Sequence, residues 1–247
     1  MPNDRLRDAI LSARLTPDEV AERVGVNSKT TERWITTGRT PYRKHRHELA
    51  ALLDEPVAYL WPDALDAKQR AEVARSELVK LYPHRADSPP ELWTRLFNKV
   101  TDELDMLVYA GLFLPEQDPK FVRTLTKKAK AGAKIRLLIG DPDSADVARR
   151  GAEENIGDAL AYRIRNVLHH FKALNNTPGI EAKLHATTLY NSVFRFDDEM
   201  LVTMHVYGLP GAHAPLMHLR RLSEGDLFTT YAETFERVWS AAKPAWP

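Results

Sequence analysis

Residues 15–41, LTPDEVAERVGVNSKTTERWITTGRTP, contain the signals for two short helices joined by a tight turn. Thr16 is a suitable N-cap, Pro17 occupies the first helical position, and Glu19 stands three residues after the cap, as in a capping box. Gly25 follows the apolar positions of this helix and can adopt the left-handed conformation that ends many helices. The stretch therefore predicts a helix, a turn and a second helix.

The apolar side chains of both helices recur three or four residues apart, which gives each helix one buried face. We expect the inward side chains to be Val20, Ala21, Val24, Thr31, Trp34 and Ile35. Asn27 or Ser28 can cap the second helix. Its outer face then carries Ser28, Lys29, Glu32 and Arg33.

The stretch from Lys29 to Arg46 contains six basic residues against the single acid Glu32. A helix with such side chains can contact base edges and phosphates from the major groove. We therefore predict an interface for double-stranded DNA, formed by Asn27, Ser28, Lys29, Glu32, Arg33, Arg39, Arg43 and Lys44. The alternative is a small helical bundle whose arginines are a solvated face.

The composition of the chain fits an ordinary globular protein with room for two domains. It has 247 residues, of which 28% are charged and 43% hydrophobic, and its formal net charge is +1. The near-neutral balance excludes a uniformly basic surface, so DNA contact requires a local patch. The absence of cysteine fits a reducing compartment, and we find neither a signal peptide nor an apolar run of roughly 20 residues. We expect a cytoplasmic protein with no membrane partner.

The pattern of elements divides the chain into an all-α N-terminal domain and an α/β C-terminal domain. We predict a helix-turn-helix domain over residues 1–65, a connecting helix and linker over residues 66–90, and the α/β domain over residues 91–247. The helix of the connecting segment spans Asp66 to Tyr82 and carries an apolar stripe suited to dimerisation.

Strands and helices alternate at the start of the α/β domain, which favours parallel strands flanked by helices. The predicted helices are Glu91–Asp102, Lys120–Ala131 and Asp226–Ala242. The predicted strands are Met106–Ala110, Lys134–Ile139, Glu181–Leu184, Thr188–Phe196, Met200–Tyr207 and Leu216–Leu222.

Residues 15–41 resemble the helix-turn-helix of the lambda-repressor/Cro-like, or Xre, transcriptional regulators. The likeness covers about the first quarter of the chain and lies in the spacing of Ala21, Gly25 and Trp34, followed by Gly38 and Arg39. The resemblance implies sequence-specific DNA binding. Thr31 departs from the family pattern, which usually has Val or Ile there.

Most of residues 91–243 resemble one half of the phospholipase D fold, through LDMLVYAG at 104–111, GIEAKLHATTLYNSVFRFDDEMLVT at 179–203 and LFTTYAETFERVW at 227–239. Active members carry His, any residue, Lys, four residues and Asp, where the His attacks a phosphodiester and the Lys holds its oxygens. Here His185 is present, but Thr187 and Ser192 replace the Lys and the Asp. The resemblance therefore implies a degenerate site with no catalytic residue, metal or cofactor.

The same resemblance implies that an anionic small molecule binds this site through His185, Arg195, Thr187, Arg163 and Asp141, with Arg165 as the alternative to Arg163. For His185, a hydrogen bond at a strand end is an equal alternative. The carboxylates Asp141, Asp143, Glu153 and Glu154 could hold a metal or act in acid/base chemistry, but they more often cap turns and helices.

These features together predict a homodimeric, ligand-responsive transcriptional regulator that resembles actinobacterial ones. Archaeal sugar-responsive regulators with a phospholipase-D-like domain have a similar arrangement. One alternative is an active phosphodiesterase or nuclease that the helix-turn-helix delivers to DNA, which the missing lysine at Thr187 disfavours. Another is a protein-interaction scaffold without a role on DNA.

Overall fold

The computed structural model describes residues 2–61, 74–222 and 225–246. The chain divides into two compact units. The first comprises Met1–Glu77 and Arg221–Thr230, and the second comprises Leu78–Arg220 and Tyr231–Pro247. The N-terminal part is helical and the C-terminal part is α/β, so this coarse division agrees with the sequence.

The first unit begins with short helices that share one apolar core. They are α1 (Asp4–Ser12), α2 (Pro17–Val24), α3 (Ser28–Thr36), α4 (Arg43–Leu53) and α5 (Val57–Leu60). Their buried side chains include Leu6, Ile10, Val20, Val24, Trp34, Ile35, Leu49, Leu53, Val57, Leu60 and Trp61. Helices this short are marginal alone, so the shared core supplies most of their stability.

The second unit is built on a mixed sheet. Its strands are β1 (Leu78–Tyr82), β2 (Glu103–Val108), β3 (Lys134–Gly140), β4 (Ile180–His185), β5 (Asn191–Phe196), β6 (Glu199–Met204), β7 (Leu216–Arg220) and β8 (Lys243–Pro244). Its helices are α6 (Pro90–Lys99), α7 (Phe113–Gln117), α8 (Phe121–Lys130), α9 (Ala145–Glu153) and α10 (Ala159–Phe171). A further helix, α11 (Leu227–Ala241), begins in the first unit and ends in the second.

The strand order is β1-β7-β6-β5-β2-β3-β4-β8. Strands β2, β3 and β4 are parallel, which the alternation with helices predicts for β2 and β3, and the remaining pairs are antiparallel. Antiparallel neighbours need only short connections, which is why β5 and β6 follow each other closely in the sequence. The carboxyl ends of the parallel strands and the amino end of β5 meet at one edge of the sheet.

The predicted helix from Asp66 to Tyr82 is wrong at its end. Residues 74–77 are helical, but Leu78–Tyr82 is a strand paired with β7, and the part of the prediction before residue 74 lies outside the described residues. The apolar residues Leu78, Val79, Leu81 and Tyr82 suit an edge strand as well as a helix, and pairing with β7 satisfies the backbone of this strand. The strand and the 3-10 turn Arg85–Asp87 thus fall in the second unit, although the sequence places them in the linker.

Glu77 is the last residue of the helical segment 74–77, and its side chain is fully buried. Its carboxylate accepts hydrogen bonds from the backbone N–H groups of Leu227 and Phe228, at 3.0 and 3.1 Å. A carboxylate satisfies the free N–H groups at a helix N-terminus, so Glu77 caps α11. None of the helices in the described parts of the chain is long and apolar enough to cross a membrane.

Candidate functional site

The two-helix element of the first unit has the local geometry that the sequence predicts. Glu19 N donates to Thr16 Oγ1 at 3.3 Å, and Thr16 N donates to Glu19 Oε2 at 2.7 Å, which completes a capping box. Gly25 ends α2 with a φ of 71°, and a Cβ there would meet no atom within 4 Å. The glycine is thus required by its backbone conformation and not by close packing.

Helix α3 is fixed against the core along one side. Asn27 is its N-cap and accepts from Lys29 N at 3.0 Å, while Thr31, Trp34 and Ile35 are buried. The buried Thr31 hydroxyl has no hydrogen-bond partner in the described residues. Burial of this hydroxyl therefore costs free energy that an apolar side chain at position 31 would not.

The outer side of α3 exposes Lys29, Glu32 and Arg33, and Ser28 is half-buried. Within the described parts of the chain, neither Lys29 nor Arg33 forms an ion pair. Helix α3 therefore presents Lys29 and Arg33 without an ion-pair partner among the residues that the structure describes.

Arg33 and Arg39 line a common groove of about 320 Å³ between α3 and the start of α4, together with Thr30, Trp34, Tyr42 and His45. Arg43 and Lys44 follow on the first turn of α4 and are exposed. The Tyr42 side chain is 80% exposed beside them. Sequence reasoning missed Tyr42, although its position between Arg39 and Arg43 was a usable signal.

The predicted ligand residues of the second unit do not form one site. His185 ends β4 and is 2% exposed. Its Nε2 donates to the Val108 carbonyl oxygen at 3.0 Å. Burial lowers the pKa of this imidazole, so it is neutral at pH 7. The alternative of a hydrogen-bonded histidine at a strand end describes this geometry.

Arg195 lies on the opposite face of the sheet from Ser192 and Phe194, because side chains alternate along β5. It pairs with Glu103 at 2.6 Å, in a cluster where Arg136 contacts Glu103, Asp105 and Glu236 at 2.7 Å each. Burial raises the pKa of Asp105 to about 6, against the opposing effect of Arg136. Arg136 and Arg195 thus contact the carboxylate oxygen atoms of Glu103, Asp105 and Glu236, which a metal ion would need as ligands.

The remaining predicted residues are also dispersed. Asp141 pairs with Lys243 at 2.7 Å; burial favours its neutral form, but the bond to Lys243 outweighs this and the pKa is lowered. Thr187 is half-buried after β4. The other carboxylates considered as metal ligands also form ion pairs. Asp143 pairs with Arg165, and both Glu153 and Glu154 pair with Arg150. Of the predicted ligand set, Arg163 alone lines the cavity described next.

A cavity of about 370 Å³ opens at the edge of the sheet where β2 ends and β5 begins. Its polar lining comprises Arg85, Tyr109, Glu116, Glu154, Arg163, Ser192, Thr203 and His205. Phe113 and Phe194 give it an apolar wall. Polar groups that converge in a cavity of this size are typical of small-molecule sites.

A chain of hydrogen bonds orders one wall of this cavity. His205 Nδ1 donates to the Leu189 carbonyl oxygen at 3.0 Å, so Nε2 accepts from the Ser192 hydroxyl at 2.9 Å. The Tyr109 ring stacks on the imidazole with centroids 5.7 Å apart. Burial lowers the pKa of His205 to about 4. The imidazole is therefore neutral and held in one tautomer.

Sequence reasoning missed Arg85, Thr203 and His205 as members of a site. Arg85 precedes the α/β pattern in a segment assigned to the linker, and the other two lie at the end of β6 without a motif. Only the pairing of β5 with β6, which sets Ser192 opposite Thr203, brings them together.

No protein-family model matches this chain, and no curated protein is similar to it. A solved structure with some likeness is TrmBL2, described as an archaeal chromatin protein that shows a novel mode of DNA binding. It is 12% identical, with a TM-score of 0.42 over 97% of this chain and 93% of that one. A likeness at this level establishes neither a common family nor a common function.

Proposed function

We propose that this protein is a transcriptional regulator that binds double-stranded DNA through α3. The observation that carries the proposal is the outer face of α3, where Lys29, Glu32 and Arg33 project from a helix anchored by Trp34 and Ile35. Base recognition requires side chains of this kind on a rigid helix that fits the major groove. Ser28 and Asn27 extend the same surface at the helix N-terminus.

The basic residues that follow α3 would contact the phosphate backbone. Arg43 and Lys44 occupy the first turn of α4, whose N-cap Tyr42 provides no side-chain hydrogen bond. Cations at this end of a helix oppose the helix dipole. An arrangement that is unfavourable for the free helix becomes favourable when a phosphate lies against it. Arg39 extends this surface along the groove it shares with Arg33.

The second unit would serve as a ligand-sensing and dimerisation domain in the cytoplasm. The resemblance of the first unit to Xre regulators and of the second to half of the phospholipase D fold supports this division of roles. A homodimer would place two copies of α3 on two half-sites, as symmetric operators require. Bound anion in the second unit would then change the DNA affinity.

The decisive experiment selects DNA duplexes from a random library with the full-length protein and measures binding to the enriched sequence. Arg33→Ala should weaken binding by about 1–3 kcal/mol and relax specificity at one position. Arg7→Ala is the matched control, because Arg7 is on α1 and pairs with Asp4. Failure to enrich any sequence, or equal loss in both variants, would refute the proposed role of α3.

A further inference from the structure

Thr203 is an unsatisfied polar group in the wall of the second unit's cavity. The residue is 2% exposed, lies on β6 opposite Ser192 of β5, and its hydroxyl has no hydrogen-bond partner in the described residues. A buried hydroxyl without a partner is unfavourable in a folded protein. Since Thr203 lines the cavity, a molecule within it could supply the missing hydrogen bond.

The neighbouring Ser192 has a defined hydrogen-bonding role. Its hydroxyl proton is directed to His205 Nε2, so the lone pairs of Oγ remain available as acceptors. Thr203 Oγ1 can both donate and accept. The two side chains together complement a ligand hydroxyl group, which needs an acceptor for its proton and a donor for its oxygen.

Two guanidinium groups line the same cavity without a carboxylate partner in the described residues. Arg85 lies over the Phe113 ring at 3.8 Å, and its Nε donates to the Gly211 carbonyl oxygen at 3.3 Å. Burial lowers the pKa of Arg85 to about 10, so it stays charged at neutral pH. Arg163 is exposed on α10.

The acids that line the cavity form no ion pair with either guanidinium group in the described residues. Glu154 is already paired with Arg150 at 2.7 Å, and Glu116 is exposed. His205 is neutral. In the described residues the lining therefore offers two guanidinium groups that no carboxylate contacts, beside groups that suit a hydroxyl.

We infer that this cavity binds a small organic oxyanion that carries hydroxyl groups, with the anionic group held by Arg85 and Arg163 and a hydroxyl held by Ser192 and Thr203. Guanidinium groups bind carboxylates and phosphates alike, so both share the required chemistry. The inference gives a site and a ligand class to the sensing role proposed above. It relies on that role only for its regulatory meaning.

The test compares three probes with one carbon skeleton, ribose 5-phosphate, ribonate and ribose, by titration calorimetry on the full-length protein without DNA. We expect at least one anion to bind at least tenfold more tightly than ribose, and the stronger of the two identifies phosphate or carboxylate. Absence of binding by both anions, or equal binding of all three probes, would overturn the inference.

Two variants test the assigned groups. Arg163→Gln should weaken anion binding about tenfold or more, whereas Arg165→Gln, on the same helix but paired with Asp143, should leave it unchanged. Thr203→Val should weaken binding about fivefold, the effect of one lost neutral hydrogen bond, and Thr203→Ser should restore it. A structural role for Thr203 would instead lower the Tm of the ligand-free protein, which we expect to stay equal or rise in Thr203→Val.

The DNA measurements remain separate from this test. Anion binding without DNA binding would leave the cavity assigned and refute the proposed regulator. DNA binding without anion binding would support the proposed regulator and refute the assignment of the cavity.

Discussion

His185 Nε2 donates to the carbonyl oxygen of Val108, and this bond joins β4 to β2 across the intervening strand β3. Gly140 is the register partner of His185 on β3. A Cβ at Gly140 would lie 3.0 Å from the Tyr109 carbonyl oxygen, so the close approach of this backbone segment requires a glycine. The histidine that resembles a phospholipase D nucleophile is thus a buried link between strands.

The protein should therefore not hydrolyse phosphodiesters. We expect no turnover of bis-nitrophenyl phosphate, plasmid DNA or phospholipid by the wild type, because His185 is buried and no lysine stands at position 187. His185→Ala should instead destabilise the protein by about 1–3 kcal/mol, since the Val108 carbonyl loses its donor. The exposed His170→Ala is the control. Turnover that disappears in His185→Ala would establish an enzyme.

Replacement of Arg43 tests the phosphate contacts. Arg43→Ala should weaken binding to specific and random duplexes alike and reduce the slope of log K against log salt by about one. Electrophoretic mobility shifts over a range of salt concentrations measure both quantities. A loss confined to the specific duplex would contradict a phosphate contact and indicate base recognition.

Oligomeric state tests the proposed symmetry. We expect sedimentation equilibrium to show a homodimer at micromolar concentration, because a single helix-turn-helix gives little specificity and symmetric sites need two readers. The enriched DNA should then contain two half-sites about one helical turn, or 10 base pairs, apart. A monomer both with and without DNA would rule out this arrangement.

The capping box of α2 should contribute measurably to local stability. Thr16→Ala removes the acceptor for Glu19 N, and we expect a loss of about 1 kcal/mol. Amide hydrogen exchange in α2 reports this change directly. Thr36→Ala is the control, since the Thr36 hydroxyl only donates to the Glu32 carbonyl within α3. Equal exchange in the wild type and Thr16→Ala would show that the cap is dispensable.

His205 should make the second unit sensitive to mild acid. Its pKa is lowered by burial to about 4 in the folded state, against about 6.5 when unfolded. The stability it contributes is complete above pH 6.5 and is lost as the pH falls toward 4. Urea midpoints over this pH range should fall more steeply for the wild type than for His205→Gln. His170→Gln should match the wild type, and coincident curves for all three proteins would contradict the assignment.

Local signals in the sequence determined the two-helix element. The cap at Thr16, the turn at Gly25 and the buried positions of α3 depend on residues within one or two turns of each other, so short-range chemistry specifies them. The alternation of apolar strands and helices likewise predicted that β2 and β3 are parallel. These features need no knowledge of distant contacts.

The tertiary structure alone decided the composition of the second unit's cavity. Arg85 and Arg163 are far apart in the sequence, and Thr203 meets Ser192 only through the pairing of β5 with β6. Strand alternation turned Arg195 to the other face of the sheet, and pairing with β7 made a strand of Leu78–Tyr82. Each outcome depends on which strands become neighbours. Long-range packing determines those neighbours, and the local spacing of residues does not reveal them.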